Sequence, residues 1–324
     1  MAAVDSFHLL YREIARCCHT HMEFLAVVGA FYTARKGLHL VGGCCSLLWS
    51  NVTPLLLSRN SVIKQYGEWA VVTGATDGIG KAYAEELASR GFNIILISHS
   101  SEKLNIISEA IVKTYGVRTI CMEVDFNQDH GVYTDIKEAL KKTDVGILVN
   151  SVEMIHEYPQ FFTETPEDRL FELINCNIAA VTMMVHTVLP GMVERKRGAI
   201  VNVSSVSCCK LAPQMAVYSA SNAYLESFSR MLEKELSPKG IFVQSLIPLC
   251  VGNKQSASCG VLHRLPFLVP SPEVYAHHAV RTLGITNRTT GYWAHSLQLL
   301  LSRLFPGWMC RAVGQLLSGS PLHP

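Results

Sequence analysis

The stretch WAVVTGATDGIGKAYAEELASR, residues 69–90, decides the fold. It opens on an apolar, β-branched run suited to a buried strand and ends on apolar residues at helical spacing. Between the two lies Gly74-Ala75-Thr76-Asp77-Gly78-Ile79-Gly80, whose spacing is G-x-x-x-G-x-G rather than the commoner G-x-G-x-x-G. Glycine permits a tight strand-to-helix turn and lets backbone approach a pyrophosphate, while the helix N-terminus offers free N–H groups and partial positive charge. The turn is a candidate binding site for a phosphate-bearing ligand.

Outward from this turn the same texture continues. The runs NIILIS (93–98), TICMEV (119–124), VGILVN (145–150), GAIVNVSS (198–205) and IFVQSLIP (241–248) bring the strand candidates to six. Stretches with helical spacing separate them, such as 79–90 and 219–235. Strands that are apolar throughout and alternate with helices imply a parallel sheet covered on both faces. The expected fold is therefore α/β, a Rossmann-type doubly wound parallel sheet in one domain spanning 66–295. Residues 252–272, rich in Gly, Ser, Asn and Pro, read as a loop or lid.

Residues 1–65 form a separate N-terminal region with the character of a targeting or membrane-associated segment. From Gly37 to Leu57 there are 21 residues without a formal charge, preceded by the apolar run Phe24 to Ala34 and by Arg35 and Lys36. His39, Ser46, Ser50, Asn51, Thr53 and Pro54 dilute that stretch, so a membrane pass, an interfacial anchor and a soluble hairpin all remain open. Residues 296–324 form a C-terminal amphipathic extension.

Composition narrows the function. Hydrophobic residues are 49% and charged residues 17%, which excludes a disordered or heavily solvated chain. A net charge of +2 gives no basic face for nucleic acid. The eleven cysteines occur as adjacent pairs or singly, with no C-x-x-C, so reduced cysteine and no metal site are expected. His277 and His278 are adjacent on a predicted helix, face different directions, and do not make a metal pair.

The stretches WAVVTGATDGIGKAYAEELASRGFNIILIS, GILVN, VLPGMVERKRGAIVNVSS, YSAS and GIFVQSLIP resemble the short-chain dehydrogenase/reductase family. Within it they are similar to the branch of membrane-associated 17β-hydroxysteroid and 3-ketoacyl reductases. The segments MAAVDSFHLLYREIARC, LPGMVERK and HHAVRTLGI look more narrowly like members regarded as inactive. The resemblance implies NADP or NAD as cofactor, a steroid or acyl ligand, a membrane surface, and a homodimer formed through the two long helices that carry Asn177 and Tyr218. It also implies a mitochondrial location, with the endoplasmic reticulum membrane as the alternative.

In this family a tyrosine hydroxyl exchanges a proton with the substrate oxygen, and a lysine one helical turn later lowers the tyrosine pKa and holds the nicotinamide ribose. Tyr218 matches the tyrosine, but Asn222 stands at the lysine position. A carboxamide can donate to a ribose hydroxyl; it cannot stabilise a phenolate as a cation does. Ser205 matches the serine that holds the substrate oxygen, with Ser204 as alternative, and Asn177 matches the asparagine of a water-linked proton relay. Asp125 matches the acidic residue that accepts from adenine, and Asn150 the first asparagine after the fourth strand. Further departures are Glu153 in place of a glycine near the cofactor, His99 in place of an arginine for the 2′-phosphate, and Asn253 in place of a threonine. The expected function is a catalytically impaired or inactive reductase-like protein that retains dinucleotide binding. The alternative is an active NAD(P)-dependent ketosteroid or 3-ketoacyl reductase using Tyr218 and Ser205.

Overall fold

A computed structural model describes residues 2–56, 64–127, 131–141, 143–155, 160–208, 214–252 and 267–304. Asn253, most of the 252–272 loop and residues 305–324 of the C-terminal extension lie outside the described residues. The chain divides into two compact units, residues 1–49 and 50–324.

The first unit is helical. Helix α1 runs unbroken over Ala2–Leu56, so the hairpin alternative does not hold: the two apolar runs belong to one helix. Leu9, Tyr11, Phe24, Leu25, Phe31, Leu38 and Trp49 along it are exposed.

The second unit is built on a seven-stranded parallel sheet of order β3-β2-β1-β4-β5-β6-β7. The strands are β1 Trp69–Thr73, β2 Asn93–Ser98, β3 Thr119–Glu123, β4 Val145–Asn150, β5 Gly198–Val203, β6 Ile241–Leu246 and β7 Arg288–Thr289. The first six coincide with the apolar runs of the sequence. β7 is two residues long and carries an exposed arginine, so no hydrophobic run announces it. The central strands β4 and β5 are buried at every position, which is why their sequences are apolar without alternation.

Helices cover both faces. On one side α2 (Gly78–Ser89), α3 (Ser101–Tyr115) and α8 (Pro272–Arg281) bury Tyr83, Leu87, Leu104, Ile111 and Tyr275 against the sheet. On the other, α4 (Gly131–Leu140) and α6 (Ala180–Arg195) bury Ile136, Met184, Val188 and Met192, with α7 (Ala216–Leu236) beside them. α5 (Glu167–Ile174) runs into α6 through a π-helical turn, Asn175–Ala179. The continuous helix Glu167–Arg195 has the length and apolarity of a membrane span, yet it is half buried on the sheet, as a core helix is. α9 (Trp293–Leu304) runs across residue 296, and its Ala294, His295 and Leu299 are buried.

Cysteines 17, 18, 44, 45, 121 and 176 are free, in line with reduced thiols, but Cys250 is disulfide-bonded, so that expectation fails there. His277 pairs with Glu86 at 3.2 Å and His278 packs edge-on against Tyr292. Among the described residues no cluster could hold a metal ion.

His295 ties α9 to the chain after β6. Its Nδ1 accepts from the Leu249 N–H at 3.4 Å and its Nε2 donates to the Cys250 carbonyl at 3.1 Å, which requires the neutral ring. Burial pushes its pKa down from 6.5 to about 4. A depressed folded-state pKa contributes stability above 6.5 that is lost as pH falls toward 4. In chemical denaturation, wild type should lose stability relative to His295→Gln across that window; a pH-independent difference between the two contradicts the assignment.

Gly80 tests the packing of the turn. A Cβ there would lie 2.2 Å from the Gly74 carbonyl oxygen, whereas one on Gly131 would meet nothing within 4 Å. Gly80→Ala should lower unfolding stability by about 1–3 kcal/mol, and Gly131→Ala should leave it level or raise it by up to roughly 1 kcal/mol. Equal melting temperatures for the two variants would contradict the close approach.

Candidate functional site

In a doubly wound sheet the ligand crevice opens at the carboxyl ends of the strands, where the strand order reverses. Here that point lies between β1 and β4. A cleft of ≈ 630 Å³ occupies it, and Gly74, Thr76, Asp77, Gly78, Ile79, Gly80, Asp125, Ser205 and Tyr218 all line it, as do His99 and Glu153. Ala75, Asn150, Asn177 and Asn222 are buried and stand outside its wall.

The turn after β1 is shaped by close backbone approach. Gly74 has φ +65, and a Cβ on it would sit 2.6 Å from the Ser151 carbonyl oxygen in the loop after β4. Asp77 serves as the N-cap of α2, its Oδ1 accepting from the Gly78 N–H at 2.7 Å. Thr76 and Ser98 join their hydroxyls at 2.8 Å, linking the turn to the end of β2. Asp125 accepts from the Asn127 N–H at 3.0 Å, forming a turn beyond β3 while it lines the cleft. This half of the cleft, with the N-terminus of α2 at its centre, fits a nucleoside and its diphosphate.

The other half is organised by the loop after β4. Thr73 Oγ1 accepts from the N–H groups of Ser151 and Val152 at 3.2 and 3.3 Å. Asn177 in the π-helical turn grips Met154 from both sides: Oδ1 accepts from its N–H at 2.8 Å, and Nδ2 donates to its carbonyl at 2.8 Å. Asn177 thus works through its side chain as a clamp on this loop. Nδ2 also reaches Ser221 Oγ on α7 at 3.3 Å. Asn150 has a core role, donating to Asn202, which donates in turn to Ser229 on α7.

Glu153 lies in the middle of this pinned segment. Its Oε1 accepts from the Tyr218 hydroxyl at 2.5 Å. The Asn222 Nδ2 donates to the Tyr218 carbonyl one helical turn back, at 3.0 Å. Glu153 is exposed to the cleft, and the hydration its carboxyl loses where it meets Tyr218 pushes its pKa above the ordinary 4.5, opposed by the hydrogen bond from Tyr218 and by the nearby Asn222 amide. Tyr218 is raised far above its ordinary value by burial first, then by the Glu153 charge and the bond to Glu153. Nearby Ser205 and Ser207 hydroxyls pull it down by less.

Of the two candidate serines, Ser204 is buried and donates to the Leu246 carbonyl at 3.3 Å, while Ser205 remains beside Tyr218. Sequence reasoning singled out Glu153 for its bulk and charge but missed it as the partner of Tyr218. Its position just past the carboxyl end of β4, at the switch point, is the signal that a charged side chain there faces the ligand. Thr73, Ser98 and His295 carried no such signal and were not singled out.

A family model for short chain dehydrogenase matches residues 68–258. Over 309 residues, 95% of this chain and 94% of the relative, the chain is 60% identical to a human protein named inactive hydroxysteroid dehydrogenase-like protein 1. It is 45% identical to the very-long-chain 3-oxoacyl-CoA reductase of Mus musculus, covering 75% of this chain and 77% of that one. The fold is shared with a short-chain dehydrogenase from Sphingobium yanoikuyae in complex with NADPH, at a TM-score of 0.62 and 24% identity over 79% of this chain and 97% of that one. With the glycine turn, the parallel sheet and the strand order in agreement, this chain belongs to the short-chain dehydrogenase family.

Proposed function

We propose that this chain is a catalytically inactive short-chain dehydrogenase/reductase-like protein that binds a nucleotide at its glycine turn. The observation that carries the reading is the bond from Tyr218 to Glu153. A phenol that is to protonate a substrate oxygen needs a pKa brought toward neutrality and a free hydroxyl. Tyr218 has neither: its hydroxyl donates its hydrogen bond to a carboxyl group, and burial together with negative charge moves its pKa upward. A ketone oxygen accepts more weakly than a carboxylate and does not displace it. Asn222, at the position of the family lysine, brings no charge to offset this. The name of the 60% identical human relative agrees.

Among cofactors of the family, either NADP or NAD suits the hydroxyl pair Thr76 and Ser98, which carries no charge of either sign, and the neighbouring exposed His99. A steroid or acyl group is the ligand class that the relatives' names favour. The first unit meets a membrane. Helix α1 carries residues 37–56 of the uncharged stretch, which at 1.5 Å per residue match a hydrocarbon core of about 30 Å, and the helix exposes large apolar side chains between Leu9 and Trp49. The location is mitochondrial, with the endoplasmic reticulum membrane as the alternative, and two copies associate as a homodimer through α5–α6 and α7.

A second reading, an active NAD(P)-dependent ketosteroid or 3-ketoacyl reductase, is favoured by one observation: Ser205 and Tyr218 line the same cleft. Turnover separates the two. Wild type should give none above background with NADH or NADPH and ketosteroid or 3-oxoacyl substrates. Asn222→Lys alone should stay inactive, because the new ammonium pairs with Glu153. Combining it with Glu153→Gly should raise the rate by roughly 100-fold or more. Wild-type turnover comparable to active reductases would establish the second reading.

A further inference from the structure

The geometry points to an occupant smaller than a dinucleotide: we propose that the cleft takes a nucleoside diphosphate and turns away the second nucleoside of a nicotinamide cofactor. This rests on the nucleotide-binding reading above and narrows it. A dinucleotide at the switch point lays its diphosphate at the N-terminus of α2 and one nucleoside over each half of the crevice. Over β1 to β3 the wall is made of Thr76, Ser98, His99 and Asp125, and is open. Over β4 and β5 the second nucleoside would have to lie against the loop after β4 and Tyr218, where the Glu153 carboxyl stands bonded to the phenol.

That carboxyl is held by the chain on both sides of it. The Ser151 and Val152 N–H groups are fixed on Thr73, and Met154 is fixed on Asn177 through both its N–H and its carbonyl. The loop does not swing away without breaking four hydrogen bonds in addition to the one from Tyr218. Turning only the Glu153 side chain brings its negative charge toward the diphosphate, which repels it. The volume of ≈ 630 Å³ leaves ample room, so the discrimination comes from Glu153 and not from lack of space. The residues present fit the diphosphate and one nucleoside. They do not fit the nicotinamide half.

Calorimetric titration of the purified full chain with ADP and with NADH tests this. The expected result is two dissociation constants within about fivefold of each other, meaning that the second nucleoside contributes little. Glu153→Gly should then tighten NADH by about tenfold while leaving ADP unchanged. Should that variant fail to show a cooperative melt, Glu153→Gln, which keeps the volume and removes the charge, should shift the ratio in the same direction. Wild type binding NADH more than about fivefold tighter than ADP overturns the inference and leaves nucleotide binding standing. So does an unchanged ratio in a folded Glu153 variant. Binding of neither ligand overturns the nucleotide reading and this inference together.

Discussion

A phenol that has given its hydrogen bond to a carboxyl group cannot give it to a substrate. The bond between Tyr218 and Glu153 is the constraint on which this site depends, because it spans 65 residues of sequence and occupies the hydroxyl in the half of the cleft where proton transfer would occur. Its effect is cumulative. The carboxyl competes with any substrate oxygen for the hydroxyl, its charge disfavours the phenolate, and no lysine ammonium stands at Asn222 to reverse either. Each departure could be tolerated alone in a cleft with a compensating cation. Together they leave a tyrosine and a serine in register without the electrostatics that would make them work.

The rest of the fold brings this pair together and keeps it there. Parallel strands bury both faces, so their polar ends gather along one edge, and the reversal of strand order between β1 and β4 opens the crevice at that edge. Thr73 at the end of β1 and Asn177 in the π-helical turn fasten the loop after β4 at three backbone positions, and Glu153 is carried in the middle. A π-helical turn widens the helix locally and turns Asn177 toward the loop, a placement common at functional sites. The site thus holds the loop after β4 by four hydrogen bonds while the Tyr218 hydroxyl is engaged by Glu153.

Much of this was legible in the sequence because burial leaves a plain trace. Six strands appear as apolar runs, and the glycine turn stands between a strand and a helix with Gly74 and Gly80 where backbone comes close. β7 was not legible, since two residues with one exposed arginine carry no pattern. α1 was only partly so: polar residues dilute its apolar stretch and left a hairpin open, whereas the backbone forms one helix. The placement of Ser205 next to Tyr218, and of Ser204 against Leu246, depends on which way the chain leaves β5, so spacing alone left both open. The roles of Glu153 and Asn177 were hidden for a different reason. Both are side-chain contacts between elements distant in sequence, and only the assembled sheet brings them together.

The state of the Tyr218 proton decides the matter. Carbon NMR of tyrosine labelled at the phenolic carbon, with the Tyr218 signal assigned by Tyr218→Phe, follows its ionisation directly. Tyr218 is expected to stay protonated past the ordinary tyrosine value of 10.0. A resonance that titrates well below that value, as an activated proton donor would, contradicts it.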